Sequence, residues 1–289
     1  MMIEHLIAAT DLSECSSTAI AFADAIAVTL HGRLTIVHVA SNKPRYATQY
    51  RDDLEAVPDD RERYEDARQK LELFVAAEPQ QSRKTQLVVA TGSPAEQLVA
   101  AGKTLEANLI VMGTRGHALV TRAFLGSVAD EVIRDSEVPV LSIRCGKRVP
   151  DPAFRRIVCA VNYTGVSGRA FAHAIELASA FGARLIAIHI MESESATIEE
   201  ETERLRAWVH NDVVAVEPMV LAAHRKASAL LLESLKETDA DLVVIGARRR
   251  IFRKKTTLGS TTNAITHRAR CPVLTVSETE ADLASPRHG

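Results

Sequence analysis

Two tandem α/β units, each a doubly wound parallel sheet, are predicted by three observations: strand and helix patterns alternate along the chain, the alternation occurs twice, and the residues themselves repeat in register. His5-Leu-Ile-Ala-Ala-Thr-Asp11 aligns with Arg156-Ile-Val-Cys-Ala-Val-Asn162 at an offset of 151 residues, which also pairs Ser16 with Ser167, Leu34 with Leu185 and His38 with His189. Past the middle of each copy the offset becomes 133, pairing Gly113 with Gly246, Gly126 with Gly259 and Pro139 with Pro272. The second copy is therefore 18 residues shorter, the loss falling between its second strand and third helix. A repeat of this kind sets the architecture before any single element does, and alternating strands and helices build parallel sheets covered on both faces.

The elements of the first copy follow in order. Leu6–Ala9 is a short apolar strand, and the segment after it carries Ala19, Ala23, Ile26 and Leu30 on one helical face. Leu34–Val39 reads as the second strand. A polar stretch with Pro44 and Pro58 leads into a charged helix near Asp60–Ala77. Leu87–Ala90 is the third strand, and Ser93-Pro94-Ala95-Glu96 opens a helix with Ser as N-cap and Pro in the first turn. Asn108–Met112 is a buried fourth strand, Val128–Arg134 a helix, and Val138–Ile143 the fifth strand, matched by Val273–Val276 in the second copy. The expected organisation is a first domain over 1–145, a linker over 146–154 with Gly146, Pro150 and Pro152, a second domain over 155–278 and a tail over 279–289. A fifth strand left at the edge of its sheet must be covered or paired. Roughly ten connecting residues span about 30 Å, enough for the two edges to meet.

Composition sets the class. The chain has 289 residues, 46% hydrophobic and 25% charged, ordinary for a soluble two-domain protein. A net charge of −2 gives no general drive toward nucleic acid or membrane. No run approaches the roughly 20 apolar residues of a membrane span. The opening Met-Met-Ile-Glu-His-Leu-Ile lacks the basic region of a signal peptide. Cys15, Cys145, Cys159 and Cys271 are scattered with no C-x-x-C pair, so reduced thiols in a cytoplasmic protein are expected, with neither a disulfide nor a metal site.

The chemistry-bearing motif lies after the fourth strand: Gly113 and Gly116, then nine residues, then Gly126-Ser127 at a helix start. Glycines let backbone N–H groups approach an anion, Ser127 caps the helix or donates its hydroxyl, and the helix N-terminus favours negative charge. Either glycine alone is routine turn punctuation. The spacing makes the set specific. Arg115, His117 and Arg122 add positive charge in the same loop, against the plainer reading of a solvated surface. Asp11 follows the first strand at its carboxyl end, where ligands bind in open α/β sheets. It accepts hydrogen bonds from a nucleoside, or caps the next helix, a task for which Ser13 is an equal candidate.

With these residues in place, both copies resemble the universal stress protein domain, and the whole chain resembles its tandem members over roughly residues 3–144 and 155–277. The family's G-x-x-G, nine residues, G-[S/T] pattern matches Gly113, Gly116, Gly126 and Ser127 without a gap. Its strand-one aspartate falls on Asp11 and its hydrophobic residue beside adenine on Val39. The resemblance implies a Rossmann-like sheet of the adenine nucleotide alpha hydrolase type, five strands in the order 3-2-1-4-5. It further implies fifth strands paired antiparallel as a pseudo-twofold dimer. ATP is the implied ligand, with Mg²⁺ as companion of its phosphates, held by Asp11, Val39, Gly113, Arg115, Gly116, His117, Gly126, Ser127 and Val128. The implied role is stress survival rather than defined catalysis.

The second copy departs from the pattern. Asn162 replaces the aspartate, Arg249 the second glycine, and Arg225 stands where the first copy has Gly92. Arg249 brings a Cβ and a long side chain to a place where backbone should meet phosphate, so ATP is expected only in the first copy. Arg248, Arg249, Arg250, Arg253, Lys254 and Lys255 put six cations within eight residues, a candidate contact for an anion or a protein partner against the plainer reading of a solvated face. With a near-neutral chain and only Phe252 as an aromatic in this run, nucleic acid is not indicated. His38 and His189 recur at the end of strand two and are read as packing residues, since no second ligand sits at metal spacing. Glu192–Glu203 reads as an acidic loop and a solvated helix with Leu205 and Trp208 on its apolar face. Two other functions stay open: a weak ATP hydrolase or nucleotidyl-transfer relative, for which no G-x-x-x-x-G-K-[S/T] loop or acid/base pair is found, and a scaffold that binds no nucleotide. No surface for a homodimer is specified, and no catalytic residue is assigned.

Overall fold

The computed structural model describes residues 3–41, 60–77, 85–114, 125–145, 153–192, 196–252 and 255–279. The first copy runs β1 (His5–Thr10), α1 (Glu14–Thr29), β2 (Arg33–Ala40), α2 (Asp60–Ala76), β3 (Thr85–Thr91), α3 (Pro94–Thr104), β4 (Leu109–Gly113), α4 (Ser127–Asp135) and β5 (Val140–Ile143). The second runs β6 (Arg156–Val161), α5 (Gly165–Phe181), β7 (Arg184–Met191), α6 (Ile198–Trp208), β8 (Val216–Ala222), α7 (Ala227–Glu237) and β9 (Leu242–Ala247). A hairpin, β10 (Arg249–Phe252) and β11 (Lys255–Leu258), then precedes α8 (Ser260–Arg268) and β12 (Val273–Ser277).

Ten strands form one sheet in the order β3-β2-β1-β4-β5-β12-β9-β6-β7-β8. Each half has the order 3-2-1-4-5, with all pairs inside a half parallel. The halves meet where β5 and β12 pair antiparallel, with Leu141 opposite Leu274 and Val140 opposite Thr275. Both edges are thereby satisfied by each other, as the apolar fifth strands required.

Burial divides by face. On one side a single core runs through both copies, from Leu6, Leu34 and Ile143 to Leu185, Leu242 and Leu274. On the other side each copy has its own cluster, under α3 and α4 in the first and under α7 and α8 in the second. Ala153 and Phe154, which the sequence places at the end of the linker, belong to the shared core. Phe154 stacks on Phe22 of α1 with ring centroids 6.0 Å apart and meets Phe181 of α5 edge-on at 5.2 Å.

The turn out of the first strand is alike in both copies. Leu12 (φ 63°) and Tyr163 (φ 60°) hold the left-handed backbone that L-residues adopt at a cost of about 1 kcal/mol. Ser13 then caps α1 through a reciprocal bond with Ser16, and Thr164 caps α5. His38 Nδ1 lies 2.9 Å from the Thr10 carbonyl and His189 Nδ1 2.9 Å from that of Val161, which accounts for the recurring histidines as ties between strands one and two.

Two expectations are corrected. The Arg248–Lys255 segment is no plain loop: its backbone pairs Arg249 with Leu258 and Phe252 with Lys255 in a two-stranded hairpin. The hairpin runs against α4 of the first copy, and Leu258 packs on that copy's own apolar cluster, a docking that favours strand pairing over a solvated coil. The acidic helix α6 is not wholly solvated either, because Glu201 is only 6% exposed.

Candidate functional site

At the carboxyl ends of β1, β2 and β4 a cavity of about 960 Å³ opens between the sheet, α2, α3 and the start of α4. Asp11, Val39, Gly113, Gly126, Ser127 and Val128 all line it, brought together from four separate stretches of chain. Arg115, Gly116, His117 and Arg122 fall outside the described residues. The N-cap of α4 is Gly126 rather than Ser127, and no side chain among the described residues caps this helix start. Ser127 instead occupies the first helical position. Its hydroxyl serves no cap, because Gly126 already takes the extended backbone that a cap residue needs.

Asp11 braces the helix start and also lines the cavity. Its Oδ1 accepts from the Ser13 backbone N–H at 3.2 Å and from the Ser13 hydroxyl, bracing the start of α1, while the side chain also faces the cavity. Gly113 is glycine for a local reason. A Cβ there would stand 3.1 Å from both the Cys15 carbonyl oxygen and its sulfur. Gly246 in the second copy is as tight against Val166, with carbonyl carbon and oxygen at 3.1 Å. The first glycine of the motif thus lets a helix approach the sheet, which explains its survival in a copy that has lost the second.

One wall was not anticipated. Arg63, Asp66, Ala67 and Lys70 of α2 line the cavity from the face opposite α3, with Lys70 paired to Asp66 at 2.6 Å. Their i, i+3, i+4, i+7 spacing is the signal that they share a helix face. A second surprise is covalent: Cys15 and Cys145 are joined in a disulfide across 130 residues, with Cα atoms 4.5 Å apart. The expectation of reduced thiols throughout is corrected. Scattered spacing carried no information about a pair that the fold of α1 against β5 brings together. Cys159 and Cys271 are buried and outside the disulfide, and burial pushes the Cys159 thiol far up. No group of three His, Cys, Asp or Glu among the described residues is placed to hold a metal. No described helix is long and apolar enough to cross a membrane.

The model of the universal stress protein family matches residues 2–144 and again 153–277. The chain belongs to the universal stress protein family. A universal stress protein of Mycobacterium tuberculosis is 30% identical over 215 residues, covering 69% of this chain and 70% of that one. A Thermus aquaticus universal stress protein is 32% identical over 143 residues, its full length but half of this chain, as one unit of a tandem repeat requires. The crystal structure of a universal stress protein from Archaeoglobus fulgidus shares the fold over 96% of this chain and 99% of its own, at a TM-score of 0.71 and 18% identity.

In the second half of this universal stress protein the corresponding cavity shrinks to about 160 Å³, lined by Asn162, Ser167, Glu192, Gly246 and Thr262 among others. Asn162 repeats the bracing role of Asp11, accepting from the Thr164 hydroxyl at 2.7 Å. Thr262 turns its hydroxyl onto the Gly246 carbonyl at 3.0 Å. Gly92 needs φ +131° in the first copy, whereas its counterpart Arg225 leaves that conformation and pairs with Glu233. Next to Asn162 in the chain, the Tyr163 hydroxyl donates to Glu201 Oε1 at 2.6 Å, His189 Nε2 lies 3.5 Å from the same oxygen, and Arg204 sits 4.4 Å over the Tyr163 ring. The Tyr163 hydroxyl holds the Glu201 carboxyl below its usual range, while burial and this carboxylate push Tyr163 up.

Proposed function

We propose that this universal stress protein binds ATP in the cavity of its first domain and acts as a nucleotide-dependent regulatory protein in the cytoplasm. The convergence of Asp11, Val39, Gly113, Gly126 and Ser127 on one cavity carries the reading. About 960 Å³ lies at the upper end of the range of cofactor sites, whereas about 160 Å³ in the second domain falls well below it. The start of α4, with Gly126 and Ser127, would face the phosphates, and Asp11 and Val39 the nucleoside. Arg115, Gly116 and His117 would complete the phosphate end. Lys70 and Arg63 add cationic groups on the α2 wall. Mg²⁺ would accompany the phosphates and draw its ligands from them. The proposed division is a first domain to residue 145 and a second from 155, and the basic hairpin remains the proposed contact for an anion or a protein partner.

The test is calorimetric titration of the nucleotide-free chain with ATP. Gly116→Arg, which copies the second domain's Arg249, should weaken binding by on the order of 100-fold, about 2.7 kcal/mol. Unchanged affinity in that variant overturns the reading. Turnover of labelled ATP above a buffer blank, abolished by the same variant, would instead make the protein a hydrolase.

A further inference from the structure

We propose that Cys15 and Cys145 are a reversible thiol–disulfide pair whose oxidised state tightens the first cavity's hold on its nucleotide. The ligand half of this inference rests on the reading of that cavity as an ATP site. Cys15 is the second residue of α1, immediately after the Asp11–Ser13 turn, and Cys145 follows the end of β5. The bond passes beside Gly113, the last residue of β4 and part of the cavity wall. The internal repeat supplies the comparison. At the equivalent positions the second domain has Val166 and Glu278, so both cysteines occur only in the domain with the intact glycine motif and the large cavity. A bond kept merely for stability has no reason to track the ligand site.

The exchange balances with a low-molecular-weight disulfide as oxidant. The partly exposed Cys145 attacks first as thiolate, breaking the small disulfide and expelling one thiolate. The Cys15 thiolate, buried at a helix N-terminus that favours negative charge, then attacks the Cys145 sulfur and expels the second. Two electrons pass to the small disulfide, and the two cysteine protons end on the two thiols released. In a reducing compartment such a bond is of the sensing kind rather than permanent.

Its effect on the cavity follows from what it immobilises. Thr114 donates its N–H to the Ile143 carbonyl at 2.8 Å, and Gly126 donates to the Thr114 carbonyl at 2.7 Å. The phosphate end of the site therefore hangs on the β4–β5 corner, while Asp11 hangs on the start of α1. The disulfide joins these two supports. Freedom lost on oxidation need not be lost again on binding, so the oxidised form binds more tightly. By reciprocity, ATP shifts the thiol–disulfide equilibrium toward the disulfide by the same factor.

The experiment uses the full chain, reduced or oxidised in buffers of a small dithiol and its disulfide. Alkylation under denaturing conditions should count four thiols in the reduced state and two in the oxidised state. ATP affinity is measured by calorimetry, and amide hydrogen exchange at Thr114 and Gly126 by NMR or mass spectrometry. The expected result is about fivefold tighter ATP binding and slower exchange at both amides on oxidation. Cys15→Val with Cys145→Ser should bind like the reduced chain in either buffer. The inference is overturned if the thiols do not interconvert, or if both states bind ATP with one affinity. If neither state binds ATP but exchange still slows on oxidation, the nucleotide reading falls and the redox clamp on the cavity stands. Unchanged exchange in that case removes both.

Discussion

Asp11 and Asn162 occupy equivalent turns and make equivalent bonds: each side-chain oxygen accepts from the backbone N–H and the hydroxyl of the residue two places on, Ser13 in one copy and Thr164 in the other. Bracing the helix start therefore needs an oxygen but no charge, and the second copy is the natural control. Asp11→Asn should leave the melting temperature within a degree or so of the parent, because the brace persists. It should weaken ATP binding about tenfold, since a hydrogen bond to a charged acceptor is worth roughly 1.5–3 kcal/mol. A variant that loses stability and keeps its ATP affinity would assign Asp11 to the helix alone. The same contrast limits what a glycine motif says. Gly113 and Gly246 are both forced by the approach of a helix, so the first glycine of the motif does not by itself distinguish the copy proposed to bind ATP from the other.

At the scale of elements, the helix after strand two is placed differently in each copy. In the first, α2 supplies Arg63, Asp66 and Lys70 as one wall of the large cavity. In the second, α6 brings the buried Glu201 onto Tyr163, His189 and Arg204. Glu201→Gln keeps the shape and removes the charge. The folded-state pKa of Glu201 is depressed, so its contribution is present above the ordinary glutamate value of 4.5 and lost as pH falls through the folded value. Urea denaturation should find the variant about 1–2 kcal/mol less stable at neutral pH, with the gap closing as the pH falls below 4.5 and Glu201 takes up its proton. A gap that persists into acid would assign the loss to packing. Much of this level was legible beforehand. Period-two and helical patterns located the strands and helices, and the two offsets located their repetition. Glu201 lies four residues before Leu205 on the same helical face, a signal of burial outweighed by the acidic run around it. The Cys15–Cys145 bond and the α2 wall were not legible, because both depend on which helix rests against which strand end. The hairpin escaped because its cations mask strands that are held by docking on the other copy.

For the molecule as a whole, the β5–β12 seam and the core shared through Phe154 make the two domains one folding unit on that face. Polar ties cross the same boundary. Arg144 donates to the His267 carbonyl at 2.6 Å, the Ser142 hydroxyl to that of Val273 at 3.3 Å on the seam strand β12, and the Ile3 N–H to Glu176 Oε1 at 2.5 Å. One group beside the last tie opposes acid. His173 of α5 is 2% exposed, neither ring nitrogen has a hydrogen-bond partner among the described residues, and the nearest Glu176 oxygen is 3.9 Å away. Burial, with Arg169 adding to it, lowers its pKa from 6.5 to about 4. A histidine depressed in the folded state binds its proton more readily when unfolded. Stability is therefore complete above pH 6.5 and declines as the pH falls toward 4, by about 3 kcal/mol from this group. Glu176, raised by burial, works the other way and offsets part of the loss as it protonates. His173→Gln should flatten the melting temperature between pH 7 and roughly pH 4.5 relative to the parent. The unfolding transition should stay single, because seam and shared core fail together. If the parent and the variant lose stability in parallel over that range, the acid sensitivity belongs to other groups. If two transitions separate in acid, the shared core does not bind the two domains into one unit.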